Sequence, residues 1–275
     1  MKDLLNFGIL NIDKPAGPTS FTVSDYVRKA LGLKKTSHFG TLDPQVTGVL
    51  PIALGRACKL TGFFLGHDKE YVGVVHIHKE IEMAELQKVV DKNFVGKIKQ
   101  TPPVKSAVKR AEREREVKRF ELLEKNDKDF LFIAEVEGGT YIRKLCSDLG
   151  EMIGGAHMLE LRRVRAGIFD ESKVYTLHEF KGAVDDYKKG DESKLKKMIV
   201  PAEEAIKEIL PVVEVKKDAV RGLLTGKPLF KRDIIGNIDV KPDKSFAVFS
   251  GKQFVEIARR VNEKVIAGKA DFVYN

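Results

Sequence analysis

Apolar residues recur along the first two hundred positions at two spacings, which predict short strands interleaved with amphipathic helices. Strands are indicated where apolar residues alternate with others, or where a short apolar run is bounded by turn residues. Such segments lie at residues 7–12, 49–54, 71–78, 130–137 and 159–165. Helices are indicated by apolar residues at i, i+3, i+4 and i+7, with capping residues at the ends. They are predicted at residues 20–31, 56–65, 80–93, 140–153 and 201–209. A further helix opens at the capping-box pair Thr176 and Glu179.

The remaining segments divide the chain into two predicted domains. Residues 34–48 show neither spacing and are bracketed by glycines, which is typical of an ordered loop. Residues 105–119 hold seven basic and three acidic residues, and their alternating charges suit an exposed strand or hairpin. After Pro211, short apolar segments are separated by turn residues, which predicts a small β-rich domain. The predicted domains are residues 1–209 and 210–275.

Composition excludes several classes of protein. An apolar content of 43% is enough for a core, so the chain is not wholly disordered. No apolar run approaches the ~20 residues of a membrane-spanning helix. Cys58 and Cys146 are far apart in sequence, which argues against a disulfide framework or a cysteine-based zinc site. These features predict a soluble protein of a reducing compartment, with a cytoplasmic location.

The positive charge is concentrated at one end of the chain. The net charge is +9, and residues 211–275 alone carry 13 basic and 8 acidic residues. Residues 1–210 contribute only +4 of the total. A basic balance can serve solubility alone, but this asymmetry favours a nucleic-acid partner.

The loop at residues 34–48 contains the strongest candidate for chemistry. Asp43 precedes Pro44, which biases Asp43 away from the α-helical region and keeps the loop extended. A carboxylate on a rigid, glycine-flanked loop can serve as a nucleophile or a base. An isolated Asp-Pro pair is more often simple turn chemistry, so this pattern alone leaves both interpretations open.

Other candidate residues also allow both a functional and an ordinary structural interpretation when each is taken alone. Arg143 lies in the first turn of a predicted helix, where a cation faces the positive end of the helix dipole, at a cost of up to ~1 kcal/mol. This placement fits either a functional or an ordinary surface arginine. Tyr71 opens a strand, and His38 could be an acid–base group, a phosphate donor or a loop histidine. The charged run at 105–119 could be a solvated hairpin or an RNA-backbone contact.

Taken together and in this order, these residues resemble the TruB family of RNA pseudouridine synthases. The matching motifs span residues 13–20, 40–48, 69–71, 139–145 and 161–163. Within the family, residues 106–110, 143–150 and 155–158 resemble the archaeal and eukaryotic dyskerin branch, the catalytic subunits of box H/ACA ribonucleoproteins. The resemblance covers roughly residues 8–209, and residues 211–275 resemble a PUA domain. It implies an α+β fold: a mixed, mainly antiparallel sheet with flanking helices, followed by a small β-rich PUA-like barrel.

The resemblance also implies a reaction. The uridine N1–C1′ bond breaks, the uracil turns, and it rejoins the ribose through C5, so the target base must leave its stack. By this resemblance, Asp43 is the nucleophile, and Arg143 pairs with it to keep it ionised and oriented. Tyr71 would stack on the uracil and could relay the C5 proton. No metal or cofactor is implied.

Further residues receive supporting roles from the same resemblance. Tyr141 and Leu161 would line the pocket, and His38 would contact the extruded nucleotide or its phosphate. Lys14 and Pro15 would support the catalytic loop. RNA-backbone contacts are expected from basic residues of the motifs, namely Lys105, Lys109, Arg110, Arg162 and Arg163.

Two departures from the family pattern affect the expectation. Stand-alone bacterial members carry a long insertion after the motif at 106–109, where this chain has only the charged stretch to Phe120. Guidance by a box H/ACA RNA, with small partner proteins and without DNA or membrane partners, is therefore favoured. A stand-alone tRNA T-loop enzyme and a non-catalytic RNA-binding scaffold remain the alternatives. Phe39 stands where a small residue is usual, which predicts an altered approach of the loop to RNA.

Overall fold

The structure is a computed structural model that describes residues 1–102 and 111–275. The chain forms two compact units, Met1–Ile199 and Val200–Asn275. This division lies ahead of the boundary expected from the sequence at residues 209 and 210, so that the helix formed by Ala202–Ile209 groups with the second unit.

The first unit alternates strands and helices. Its helices are α1 Lys2–Asn6, α2 Ser20–Ala30, α3 Thr61–Leu65, α4 Met83–Phe94, α5 Ile142–Ile153, α6 Leu177–Lys188 and α7 Ser193–Met198, with 3₁₀ helices at Gly55–Leu60 and Glu171–Lys173. Its strands are β1 Gly8–Lys14, β2 Thr36–His38, β3 Thr47–Leu54, β4 Lys69–Ile77, β5 Gly96–Gln100, β6 Arg113–Asn126, β7 Asp129–Val136, β8 Ala156–Ala166, β9 Phe169–Asp170 and β10 Tyr175–Thr176. β11, Ile199–Pro201, follows α7.

One large sheet organises the first unit. Its strands run in the order β10-β1-β3-β8-β4-β7-β6-β5, with β2 paired to β3 and β9 paired to β8. The β1–β10 and β3–β8 pairs are parallel, and the pairs between β8, β4, β7, β6 and β5 are antiparallel. The predicted α+β fold, with a mixed and mainly antiparallel sheet, is confirmed.

Two apolar clusters hold helices against this sheet. β4 and β7 alternate buried and half-buried residues, so one face of each packs against α4 and α5. The second cluster joins β1 and β3 to α2 and α6, around residues such as Val27, Ile52 and Phe180. Burial of such apolar area is the main stabilising contribution to the unit. The first cluster also includes Leu42 and Val46, so it extends to the loop that carries Asp43.

Several strands of the first unit, among them β2 and β5, were not predicted. Residues 36–38 were expected to belong to a loop, but they form β2, paired in register with β3 from Thr36–Leu54 to His38–Ile52. Three polar residues cannot show an alternating pattern, so this strand depends on its neighbour. β5 was missed for a similar reason, because it is a five-residue edge strand with two lysines.

The second unit is a small curled sheet with short helices. Its elements are α8 Ala202–Ile209, β12 Val212–Glu214, α9 Lys217–Leu223, β13 Leu229–Phe230, a 3₁₀ helix at Lys231–Asp233, β14 Ser245–Ser250, β15 Gln253–Arg260 and β16 Ile266–Val273. The strand order is β12-β14-β15-β16-β13. Its apolar core includes Val213, Leu229 and Phe246. This unit fits the predicted PUA-like domain; α9 was not predicted.

Candidate active site

Asp43 lies between two residues that anchor its loop in the core. Leu42 and Val46 are buried, whereas about half of the Asp43 side chain is exposed. The Val46 amide donates a hydrogen bond of 3.0 Å to the Asp43 carbonyl and closes the turn. The apolar residues on either side therefore hold the carboxylate at the surface in a fixed place.

Arg143 contacts this carboxylate from α5. Its Nη2 lies 2.6 Å from Asp43 Oδ2, and both side chains are about half exposed. Arg143 is the second residue of α5, after Tyr141 at the N-cap, and no acidic residue lies in the first turn of that helix. A charge-assisted contact of this length orients the carboxylate.

The end of β1 and the turn that follows it hold the loop at Pro44. The buried Lys14 Nζ donates to the Pro15 carbonyl at 2.7 Å and to the Pro44 carbonyl at 2.9 Å. The Gly17 amide also donates to Pro44, at 2.9 Å. Burial lowers the pKa of Lys14, and the negative charge of Asp43 opposes that shift. The residue after Asp43 is thus held by two donors from the end of β1 and its following turn.

Arg163 holds the two ends of the same loop. Its Nε donates to the Val49 carbonyl at 2.8 Å and its Nη2 to the Gly40 carbonyl at 3.0 Å. Only 1% of the side chain is exposed, so the expectation that Arg163 contacts the RNA backbone is wrong. Burial lowers the pKa of its guanidinium, and a hydrogen bond with Tyr71 opposes that shift. Arg163 therefore links the base of the Asp43 loop to Tyr71.

Tyr71 and Leu161 lie in the cluster that contains the loop anchors. Both are buried and belong to the apolar cluster that includes Leu42 and Val46. Tyr71 pairs with Arg163 across β4 and β8. Tyr141, the N-cap of α5, is half-buried and immediately precedes that helix. The structure thus groups the expected pocket residues around the Asp43 loop and the start of α5.

His38 and Phe39 differ in their surroundings. His38 is half-buried, and its Nε2 lies 3.1 Å from the Thr41 hydroxyl oxygen. Burial and the nearby Arg163 charge lower the pKa of His38, which favours the neutral imidazole. Phe39 points inward and stacks on Phe64 with ring centroids 4.5 Å apart. Phe39 itself faces the core rather than the RNA side, and its predicted effect on the approach of the loop to RNA stays a prediction.

The other residues expected to contact the RNA backbone are Arg162, Lys105, Lys109 and Arg110. Arg162 donates through Nη1 and Nη2 to the two Asp13 carboxylate oxygens, at 2.9 and 3.0 Å, and through Nε to Glu171 at 2.5 Å. Its guanidinium is thus engaged by two carboxylates of the chain. Lys105, Lys109 and Arg110 lie outside the described residues.

Three further residues at the site were given no role of their own from the sequence. Ser20 begins α2, and its hydroxyl bonds both the amide and the carbonyl of Leu42. Gln100 binds the backbone of Tyr141 in the same way. Lys69 is buried beside Arg163, and burial lowers its pKa to about 8. Ser20 and Gln100 act on residues distant in sequence, whereas Lys69 donates to the nearby Leu65 and His67 carbonyls.

The described residues were also searched for metal-ligand clusters and for membrane-spanning helices. Within residues 1–102 and 111–275, no group of three or more His, Cys, Asp or Glu side chains is arranged to hold a metal ion. Among the helices of those same residues, none is both long and apolar enough to span a membrane.

Comparison with known proteins identifies the class of protein to which this chain belongs. Residues 28–142 match the N-terminal domain of TruB family pseudouridylate synthases, and residues 143–207 match the C-terminal domain of tRNA pseudouridylate synthase B. A curated relative, the probable tRNA pseudouridine synthase B of Korarchaeum cryptofilum, is 48% identical over 228 residues, which cover 82% of this chain and 70% of the relative.

Solved structures give the same result over nearly the whole chain. A Cbf5-Nop10-Gar1 complex contains a chain that superposes with a TM-score of 0.91 at 38% identity, covering 99% of this chain and 86% of the other. An H/ACA ribonucleoprotein bound to a substrate RNA containing 2′-deoxyuridine contains another, with a TM-score of 0.89 at 35% identity, covering 100% and 87%.

The fold and the family matches define an RNA-modifying pseudouridine synthase. This chain belongs to the TruB family of pseudouridylate synthases, and it is similar to the archaeal proteins of the box H/ACA ribonucleoproteins.

Proposed function

We propose that the chain converts specific uridines in RNA to pseudouridine at Asp43, directed by a box H/ACA guide RNA within a ribonucleoprotein. The observation that supports this site is the 2.6 Å contact between Asp43 and Arg143 on an anchored loop. A carboxylate that is exposed yet fixed by its neighbours has the properties required of a nucleophile.

The proposed reaction begins with attack of an Asp43 oxygen on C1′ of the target uridine. The C1′–O bond forms as the N1–C1′ bond breaks, and its electron pair passes to N1. The uracil turns within the pocket, and C5 attacks C1′ and displaces the carboxylate. C5 then loses its proton, and N1 gains one. Arg143 lowers the barrier by keeping the Asp43 carboxylate aimed at C1′.

The neighbouring residues would handle the flipped base. Tyr71 stacks on the uracil and relays the C5 proton, and its hydrogen bond with Arg163 fixes the phenol. Tyr141 and Leu161 line the pocket. His38, with its lowered pKa, contacts the extruded nucleotide or its phosphate as a neutral hydrogen-bonding group rather than as a cation.

Guidance by RNA and partner proteins is supported by the solved structures that resemble this chain. Those proteins are described in complexes with Nop10 and Gar1, and in an H/ACA ribonucleoprotein with substrate RNA. The chain would take the same place, with its second unit as a PUA-like RNA-binding domain. A stand-alone tRNA enzyme is the second candidate, because the curated relatives are named probable tRNA pseudouridine synthase B. A cytoplasmic location fits either function, since both cysteines are free.

The experiment compares two substrates. The purified chain is incubated with a bare tRNA transcript, and separately with target RNA, an H/ACA guide RNA and the partner subunits. Pseudouridine is quantified by nucleoside chromatography and mass spectrometry. The proposal expects pseudouridine at the guide-specified position only when the guide is present. Equal modification of bare tRNA would favour the stand-alone enzyme, and no pseudouridine in either reaction would contradict the activity.

A further inference from the structure

A buried hydroxyl holds the residue that precedes Asp43. The Ser20 hydroxyl donates to the Leu42 carbonyl at 3.0 Å, and the Leu42 amide donates back to the same oxygen at 2.8 Å. Ser20 has no exposed surface, so water does not compete for these bonds. Both backbone groups of Leu42 are therefore fixed from α2.

A buried amide performs the same task on the other partner of the ion pair. Gln100 Nε2 donates to the Tyr141 carbonyl at 3.2 Å, and the Tyr141 amide donates to Gln100 Oε1 at 3.0 Å. Tyr141 is the N-cap of α5 and makes no side-chain capping bond, and Arg143 follows two residues later. The start of α5 is thus fixed by the last residue of β5.

We propose that Ser20 and Gln100 are positioning residues that together set the geometry of the Asp43–Arg143 pair, one for each partner. The inference rests on the proposed function of that pair. Neither residue contacts the reacting atoms; each acts through the backbone of a neighbour.

The exposure of the ion pair explains why such positioning is needed. Asp43 and Arg143 are both about half exposed, and an ion pair in that setting is screened by solvent and contributes little to stability. Such a contact is too weak to place the two backbones. A misplacement of about 1 Å can lower a catalytic rate on the order of a hundredfold. Rigid support for both backbones therefore has a direct effect on rate.

The main test replaces Gln100 and compares it with a matched control. Gln100→Met keeps the length of the side chain and removes both hydrogen bonds. Gln87 makes the same kind of double contact with β6, donating to the Phe120 carbonyl at 3.0 Å and accepting from the Leu122 amide at 2.8 Å. Gln87→Met thus removes the corresponding pair of backbone bonds away from the ion pair, together with a 2.7 Å donation to the Asp91 carboxylate.

Gln100→Met should change the reaction rate much more than the RNA affinity. Gln100→Met should lower the single-turnover rate of pseudouridine formation by about 10- to 100-fold, with RNA affinity within about threefold of wild type. Gln87→Met should destabilise the fold by a similar amount but leave the rate within about threefold. Ser20→Ala should resemble Gln100→Met. Equal rates for Gln100→Met and Gln87→Met would overturn the proposal.

A second variant supplies a readout that loss of stability would not give. In Gln100→Glu, a protonated carboxyl offers one donor and one acceptor, as the amide does, whereas an ionised carboxyl loses the donor and faces the Tyr141 carbonyl. Burial raises the pKa of the introduced carboxyl, so the rate relative to wild type should rise as the pH falls through that pKa. A pH-independent ratio would contradict positioning by Gln100.

One further variant separates this inference from the proposed function. Asp43→Asn is assayed beside the others. If Asp43→Asn retains activity, the proposed site itself is wrong. If Asp43→Asn is inactive and Gln100→Met matches its control, the site stands and the positioning role of Gln100 fails.

Discussion

Replacement of Arg143 by lysine tests how the predicted nucleophile is held. Arg143→Lys keeps the positive charge but replaces the planar guanidinium with a compact ammonium on a side chain about 1 Å shorter. The Arg143 Nη2 lies 2.6 Å from Asp43 Oδ2, so a lysine at the same backbone position does not reach a comparable contact. We expect Asp43 to lose its orientation.

The size of the effect follows from the exposure of the pair. Because both side chains are about half exposed, the contact contributes at most ~1 kcal/mol to the free energy of unfolding. The free energy of unfolding of Arg143→Lys should therefore differ from that of wild type by no more than this amount. Loss of a positioned electrostatic partner in the transition state is larger, about 3 kcal/mol, or on the order of a hundredfold in rate. Stability and rate should therefore respond very differently.

The assay is single-turnover pseudouridine formation at saturating enzyme, which separates the chemical step from RNA binding. RNA affinity is measured beside it and should change little. A lysine variant with the wild-type single-turnover rate and weakened RNA binding would refute the pairing. Arg143 would then be an RNA contact, and the orientation of Asp43 would need another source.

Two further predictions concern buried charges. The buried carboxyl of Glu256 has no hydrogen-bond partner among the described residues, and burial raises its pKa from 4.5 to about 7. The folded chain therefore keeps this proton up to about pH 7, whereas the unfolded chain releases it near pH 4.5. The stability of the second unit should fall by up to ~3 kcal/mol as the pH rises through this window. Glu256→Gln should abolish that loss and be the more stable protein at pH 8 in urea titrations, and an unchanged pH profile would contradict the assignment. Arg163→Met should leave the Val49 and Gly40 carbonyls without their donor, and lower the free energy of unfolding by at least ~2 kcal/mol. Because Arg163 is buried, the salt dependence of RNA binding should not change in this variant. A shallower salt dependence would show that Arg163 contacts the RNA backbone.

Helices and strands whose apolar residues are regularly spaced could be predicted from the sequence. α2, α4, α5, β4 and β7 have an apolar stripe or an alternating face, and that pattern survives folding because one side of each packs on the core. β2 and β5 could not be predicted, since pairing with a neighbouring strand determines them rather than their own residues. The capping box of α6 was predicted correctly because it is a local hydrogen-bond pattern.

The contact of Asp43 with Arg143 was expected only by resemblance to a family. The two residues lie a hundred positions apart, and the local pattern around each allowed an ordinary interpretation. The error at Arg163 has a clear cause: a sequence does not indicate whether an arginine next to another arginine faces solvent or the interior. Arg162 and Arg163 are neighbours in β8, so their side chains point to opposite faces of the sheet, and only Arg163 points inward.

Asp43→Asn tests whether the Asp43 carboxylate performs the first chemical step. The amide keeps the size of the side chain but cannot attack C1′. Glu135→Gln is the matched control, since Glu135 forms a comparable ion pair with Arg165 at 2.8 Å elsewhere in the sheet. In single-turnover reactions, Asp43→Asn should form no detectable pseudouridine while binding RNA nearly as well as wild type, and Glu135→Gln should stay close to the wild-type rate. An Asp43→Asn rate within tenfold of wild type would contradict the account.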